Sequence, residues 1–378
     1  MFFSKQDLFD SIVLIRPLLI LFVCIAHLPG VNGYHSDFDQ FDKIDTLFSI
    51  YIKDYLARGA VPILTVISGY LAFYSFSRRS YLDFVYGKVK RLLIPFVVWN
   101  ALVFVILWVV YKALGVSIRS IEDVGSLTDI FYKWFGFNLN LPINAPTYFV
   151  RDLFVIMLAV PVFKYICRNK IIFALFMIGY ARTIWGPSLL VYQGEEFSSH
   201  LLFRRDMVLF FALGYFYAMH GFSIPKVSGY SSTVSIVLLM SLGLLVSVYL
   251  SGLNPSGEDY IVIRFLFSSL FVLCAPVFLS VLLKTKNSWI GRILIFISPY
   301  SFTLFLSHML ASYVFLFFTS RVLNWRVNET FPIFEIIVYI VFYVFAVVVS
   351  AILILNAWRF LMAKKDLFRF SNKSVTSP

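Results

Sequence analysis

Apolar residues fill most of this chain in stretches of about 18–25, separated by short polar segments. Such stretches stand near 11–28, 59–76, 92–113, 148–167, 170–187, 206–222, 233–251, 262–283, 298–319 and 332–358. A helix needs about 20 mainly apolar residues to cross a bilayer. The pattern therefore predicts an all-α, polytopic transmembrane helical bundle with about ten spans, forming one integral membrane domain over 1–378. The fifth stretch is the weakest, because Arg182, Trp185, Gly186 and Pro187 crowd its end. Residues 41–56 follow a different rhythm. Phe41, Ile44, Phe48, Tyr51, Ile52 and Tyr55 recur at helical spacing with Asp42, Asp45 and Asp54 between them. This predicts an amphipathic helix lying on the membrane surface.

The polar interruptions are more informative than the apolar runs. In the first stretch Arg16 and His27 are eleven residues apart in Ile15-Arg16-Pro17-Leu18 through Ile25-Ala26-His27. Eleven helical residues turn through three turns plus roughly 20°, so the two share a face about 16 Å apart along the axis. Ionisable groups inside a membrane face the protein interior and mark a functional pathway. Imidazole is also the side chain best suited to proton transfer near neutral pH. Pro17 invites a kink beside Arg16.

Composition agrees with the pattern. The chain is 60% hydrophobic and 14% charged, far from the roughly 25% charged of a soluble domain. The net charge of +12 raises the question of a nucleic-acid partner. The distribution of charge answers it. With a cytoplasmic N-terminus, segments 1–10, 75–91, 164–170, 220–232, 284–292 and 359–378 face inward. They hold most of the Lys and Arg but, of the acids, only Asp7, Asp10, Asp83 and Asp366. The positive-inside rule then predicts both termini in the cytoplasm, with a short basic tail over about 359–378 and no nucleic-acid partner. The first stretch lacks the basic start and small-residue cleavage site of a signal peptide, and is expected to remain as the first span. Cys24, Cys167 and Cys274 show no metal-ligand spacing and read as small buried hydrophobes. No metal site is expected.

Several further groups interrupt the spans. Ser68-Gly69 offers a small surface in mid-membrane, either for close helix packing or to admit a slender ligand. Arg78, Arg79, Lys88, Lys90 and Arg91 follow on the inner side, as plain topology or as a site for a phosphorylated ligand. The outer connection 115–147 is long, with Tyr132, Trp134, Asn138, Asn140 and Asn144, and reads as an inert loop or as the rim of an outward cleft. Span four opens with Tyr148, Arg151 and Asp152, as a polar brace or a binding group. Span nine carries Ser301 and a second intramembrane histidine, His308, for either a structural or a direct role.

In this order the pieces resemble the acyltransferase-3 family of integral membrane acyltransferases. The matching residues are Arg16 through His27, Ile67-Ser68-Gly69-Tyr70-Leu71, Lys90-Arg91-Leu92-Leu93-Ile94-Pro95 and Tyr148-Phe149-Val150-Arg151-Asp152-Leu153-Phe154. Phe211-Ala212-Leu213-Gly214-Tyr215 and Ser301 through His308 complete the set, so the resemblance covers nearly the whole chain. Pro17 departs from it, since the family more often has a small residue after the arginine.

The resemblance implies an enzyme of the bacterial cytoplasmic (inner) membrane. It would transfer an acyl group, acetyl foremost, from cytoplasmic acyl-CoA to a hydroxyl of a surface polysaccharide or a lipid-linked glycan precursor. Acetyl-CoA is then a cosubstrate and no cofactor is held permanently. The family's required arginine and histidine fall on Arg16 and His27. Acyl-CoA is expected at Arg78, Arg79, Lys88, Lys90, Arg91, Ser68 and Gly69, and the acceptor or its supports at Tyr148, Arg151, Asp152, Ser301 and His308. An extended pantetheine arm, on the order of 15–20 Å, is similar to the axial separation of Arg16 and His27. A secondary transporter or flippase for a carbohydrate or lipid-linked substrate is the competing class. Two related halves with interrupted helices would mark it, and the sequence shows none.

Overall fold

The computed structural model describes residues 3–28, 57, 59–114, 126–136, 142–185, 204–221, 234, 257–323 and 333–373. Among them every ordered element is helical: α1 (Lys5–Ala26), α2 (Ala60–Phe76), α3 (Tyr81–Lys88), α4 (Ile94–Leu114), α5 (Leu127–Phe135), α6 (Tyr148–Leu158) and α7 (Val160–Arg168). The series continues with α8 (Lys170–Trp185), α9 (Arg205–His220), α10 (Gly257–Lys284), α11 (Trp289–Ile297), α12 (Ser301–Phe317) and α13 (Ile333–Lys373). Each predicted span coincides with a helix except 233–251, which apart from residue 234 lies outside the described residues, as does the surface helix expected at 41–56.

Helix lengths differ from the expectation. Four stretches among the described residues are long and apolar enough to cross a membrane: Gln6–Ala26, Tyr81–Ala113, Trp289–Val322 and Phe334–Phe360. Ala60–Phe76 and Ser269–Lys284 are shorter apolar helices. The stretch 148–167 is divided at Ala159, because Pro161 has no N–H to continue the ladder and starts α7 afresh. The long connection 115–147 is partly helical. Ser126 and Asp129 form a capping box that starts α5, and Gly136, at φ 68°, ends it in the left-handed conformation. At the C-terminus α13 carries its helix on to Lys373, into the predicted tail.

Helix α1 is central. It packs against α2, α10, α11, α12 and α13. A second close pair, α2 with α9, is set by two glycines. A Cβ on Gly69 would fall on the Phe211 carbonyl oxygen, and one on Gly214 would fall on the carbonyl oxygen of Val66. The two backbones therefore touch, as small residues allow in membrane bundles. All three cysteines are free and buried.

Contacts fix which helix ends lie together. Lys286 pairs with Asp10 at 2.8 Å, and the rings of Phe9 and Tyr74 are 6.4 Å apart. The start of α1 thus meets the end of α2 and the turn after α10. Arg359, late in α13, sits 6.0 Å over the ring of Tyr300, whose turn packs on α1. The predicted inward segments 1–10, 75–91, 284–292 and the start of 359–378 therefore share one end. His27 stands at the far end of α1.

Candidate active site

Helix α1 runs unbroken through Pro17, so the axial spacing of Arg16 and His27 is that of a helix. His27 is the residue that caps it. Its backbone N–H donates to the Cys24 carbonyl at 3.0 Å. The same carbonyl accepts the Tyr343 hydroxyl from α13 at 3.1 Å. Tyr343 is 2.7 Å from the Ser312 hydroxyl, which donates in turn to the His308 carbonyl at 2.6 Å. This chain of buried bonds ties α1, α13 and α12 together next to both histidines.

The rings of His27 and His308 lie 5.6 Å apart, tilted by 46°. His27 is half-buried and His308 is fully buried. His308 Nδ1 is 2.7 Å from the Phe305 carbonyl oxygen, while its Nε2 has no hydrogen-bond partner among the described residues. Two more buried polar atoms have no hydrogen-bond partner among the described residues, Ser307 Oγ, next to His308 in sequence, and Asn144 Oδ1. Asn144 reaches the same part of α12, donating through Nδ2 to the Leu306 carbonyl at 2.8 Å. Its backbone N–H is held by Asn100 Oδ1 at 3.0 Å, and Asn100 Nδ2 donates to Thr147 Oγ1 at 2.9 Å. A buried polar atom left unpaired costs about 1–3 kcal/mol, so three in one neighbourhood ask for a ligand or water.

Arg16 is exposed despite the five helices packed around α1, and its guanidinium makes no hydrogen bond or ion pair among the described residues. Ser68 donates to the Leu64 carbonyl at 2.8 Å. Gly69 is taken up by the contact with α9, the packing alternative of its two sequence readings, and is buried. Arg78, Arg79, Lys90 and Arg91 are exposed at the end of the bundle opposite His27. Lys88 is half-buried, its Nζ 5.0 Å from the Phe84 ring centroid, and Lys90 lies 4.3 Å over Tyr86. Lys90 and Arg91 fall in a wide, π-helical turn, Val89–Leu93, of a kind found often at functional sites. Lys164, 5.8 Å over the ring of Phe76, extends this basic rim from α7.

The residues that open span four form a closed network. Arg151 Nε donates to Asp152 Oδ1 at 2.9 Å, and Nη1 donates to the Phe135 and Gly136 carbonyls, each at 2.7 Å. Asp152 Oδ2 accepts from the Arg204 N–H at 3.0 Å, at the start of α9. Arg204 also donates to the Tyr148 hydroxyl at 2.9 Å and pairs with Asp206 at 2.6 Å. Asp152 is fully buried. This geometry braces α5, α6 and α9 and leaves Arg151 and Asp152 little capacity for a ligand. Ser301 is buried as well, its hydroxyl 3.5 Å from the Ile297 carbonyl.

Asn100, Thr147, Arg204, Ser312 and Tyr343 were not singled out by the sequence. Asn100 carried a usable signal, being a lone amide in the apolar run of α4. The others gain their significance only from partners distant in the chain.

Comparison with known proteins gives this geometry a context. No solved structure matches the chain. A curated relative, the succinoglycan biosynthesis protein ExoH of Rhizobium meliloti (strain 1021), is 25% identical over 253 residues. The alignment covers 65% of this chain and 63% of ExoH, so the chain spans somewhat under two thirds of that relative's length. The model of an acyltransferase domain matches residues 9–355, which include Arg16, His27, the basic rim and His308. The chain belongs to the acyltransferase-3 family.

Proposed function

We propose that this protein is a membrane O-acyltransferase. It moves an acyl group, acetyl foremost, from cytoplasmic acyl-CoA to a hydroxyl of a bacterial surface polysaccharide or its lipid-linked precursor. The observation that carries the reading is His27, a half-buried imidazole at the end of the central helix and beside a second histidine, within a chain matched by an acyltransferase domain. The name of ExoH, a succinoglycan biosynthesis protein, supports a polysaccharide acceptor.

Distances along α1 divide the donor between two basic positions. From Phe9, level with the end of α2, to His27 is about 27 Å at 1.5 Å per residue. A pantetheine arm of about 15–20 Å falls short of that span but matches the separation of Arg16 from His27. The diphosphate therefore belongs beside Arg16, whose guanidinium is exposed and unpaired among the described residues. The 3′-phosphoadenosine end belongs on the rim of Arg78, Arg79, Lys88, Lys90 and Arg91, with Lys164 beside it. Guanidinium and ammonium groups are the standard partners of phosphate. The thioester then stands at His27, which either removes the proton of the acceptor hydroxyl or takes the acyl group transiently.

The test is acyl-CoA turnover by the purified protein in detergent, with acetyl-CoA and succinyl-CoA as donors. Wild type should release CoA, and His27→Ala should lose the activity at least ~100-fold. Equal release from both proteins overturns the reading.

A further inference from the structure

His308 has one ring nitrogen committed and one vacant. The Phe305 carbonyl can only accept, so the 2.7 Å contact puts the proton of the neutral ring on Nδ1. Nε2 then presents a lone pair, fully buried and without a partner among the described residues. The ring centroids of His27 and His308 are 5.6 Å apart. Rings so spaced are close enough that one hydroxyl oxygen, admitted between them, would reach a nitrogen of each at about 2.8 Å. Asn144 Oδ1 and Ser307 Oγ, likewise without partners among the described residues, are atoms that a hydroxyl-rich sugar would satisfy.

We infer that the two histidines divide the reaction: His27 carries the acyl group and His308 Nε2 takes the proton of the acceptor hydroxyl. The inference rests on the acyltransferase reading above. In the first half, a nitrogen of His27 attacks the thioester carbonyl. The C–N bond forms, the C–S bond breaks, and CoA leaves as the thiol with the proton released from the His27 ring. In the second half, the acceptor oxygen attacks the same carbonyl carbon while its proton passes to His308 Nε2. The C–O bond forms, the C–N bond breaks, and its electron pair returns to His27. His308 then returns the proton to the His27 ring, and both imidazoles are neutral again. The sum is acyl-CoA plus alcohol giving ester plus CoA thiol.

The two halves separate in a single preparation of full-length protein. Exchange of radiolabelled CoA into acetyl-CoA or succinyl-CoA, with no acceptor added, reads the first half. Acylation of octyl glucoside, together with hydrolysis by water, reads the second. Wild type is expected to do both, and His27→Ala neither. His308→Gln and His308→Asn should keep exchange within about threefold and lose transfer to oxygen about 100-fold or more. Gel filtration and thermal melting show whether these variants are folded. If a folded His308 variant loses exchange as His27→Ala does, or transfers at the wild-type rate, the division of labour is overturned. Wild type supplies a measurement that needs no variant. Transfer to octyl glucoside without CoA exchange would show that His27 carries no acyl group. If wild type consumes no acyl-CoA at all, the function proposed above has failed, and this inference with it.

Discussion

Two polar clusters sit in this apolar bundle, and they are built on opposite plans. Around Arg151, Asp152, Arg204 and Asp206 nearly every charge has its partner. Around His308, three buried polar atoms have none among the described residues. A saturated network holds helices together, because breaking it leaves a buried charge alone. An unsaturated one weakens the fold and persists where a ligand completes it. Similar residue types are thus saturated at one place and left open at the other, and on the function proposed here the open cluster is the one that serves chemistry.

The contrast breaks most visibly at Asp152. Asp152→Ala leaves Arg151 half-buried without its carboxylate and removes the acceptor of the Arg204 N–H at the start of α9, so we expect a loss of about 3–5 kcal/mol. Thermal unfolding in detergent would record it. An unchanged midpoint would mean that the network is decorative. Gly214→Ala comes next. Its Cβ would strike the Val66 carbonyl, so α2 and α9 must separate, at about 1–3 kcal/mol. His308→Leu should change stability by about 1 kcal/mol or less, because the lost Nδ1–H bond to the Phe305 carbonyl is offset by removing the buried, unpaired Nε2. Acyl transfer should nevertheless vanish, and a melt run beside an activity assay checks both halves of that statement. The smallest effect is expected at the basic rim. Replacing Lys88, Lys90 and Arg91 by Gln should raise the KM for acyl-CoA a few-fold, and added salt should narrow the gap from wild type.

Much of this architecture was legible because the bilayer writes long apolar runs into the sequence. The spacing of Arg16 and His27 along one helix was legible too, since it is local information. The sequence also marked His308 as a polar residue in a span, but not that it meets His27, which depends on how α1 and α12 pack. Gly69 shows the same limit. A small residue serves a ligand or a helix, and only the Phe211 carbonyl against it decides for the helix. Arg204 fell between two apolar runs and looked like connecting chain. Its importance lies in Asp152 and Tyr148, contributed by another helix. Local pattern revealed which residues were costly, and tertiary contacts revealed which of them have partners.

The unsatisfied atoms of α12 also turn the melting point into a means of finding the acceptor. Whatever binds the native state alone stabilises it by mass action, about 2.7 kcal/mol at a hundred times its dissociation constant. A sugar that supplies the missing donors would raise the midpoint of the wild type and leave that of His308→Leu nearly where it was. Candidate glycans can therefore be screened by heat, before any acyl donor is added and before any product is known.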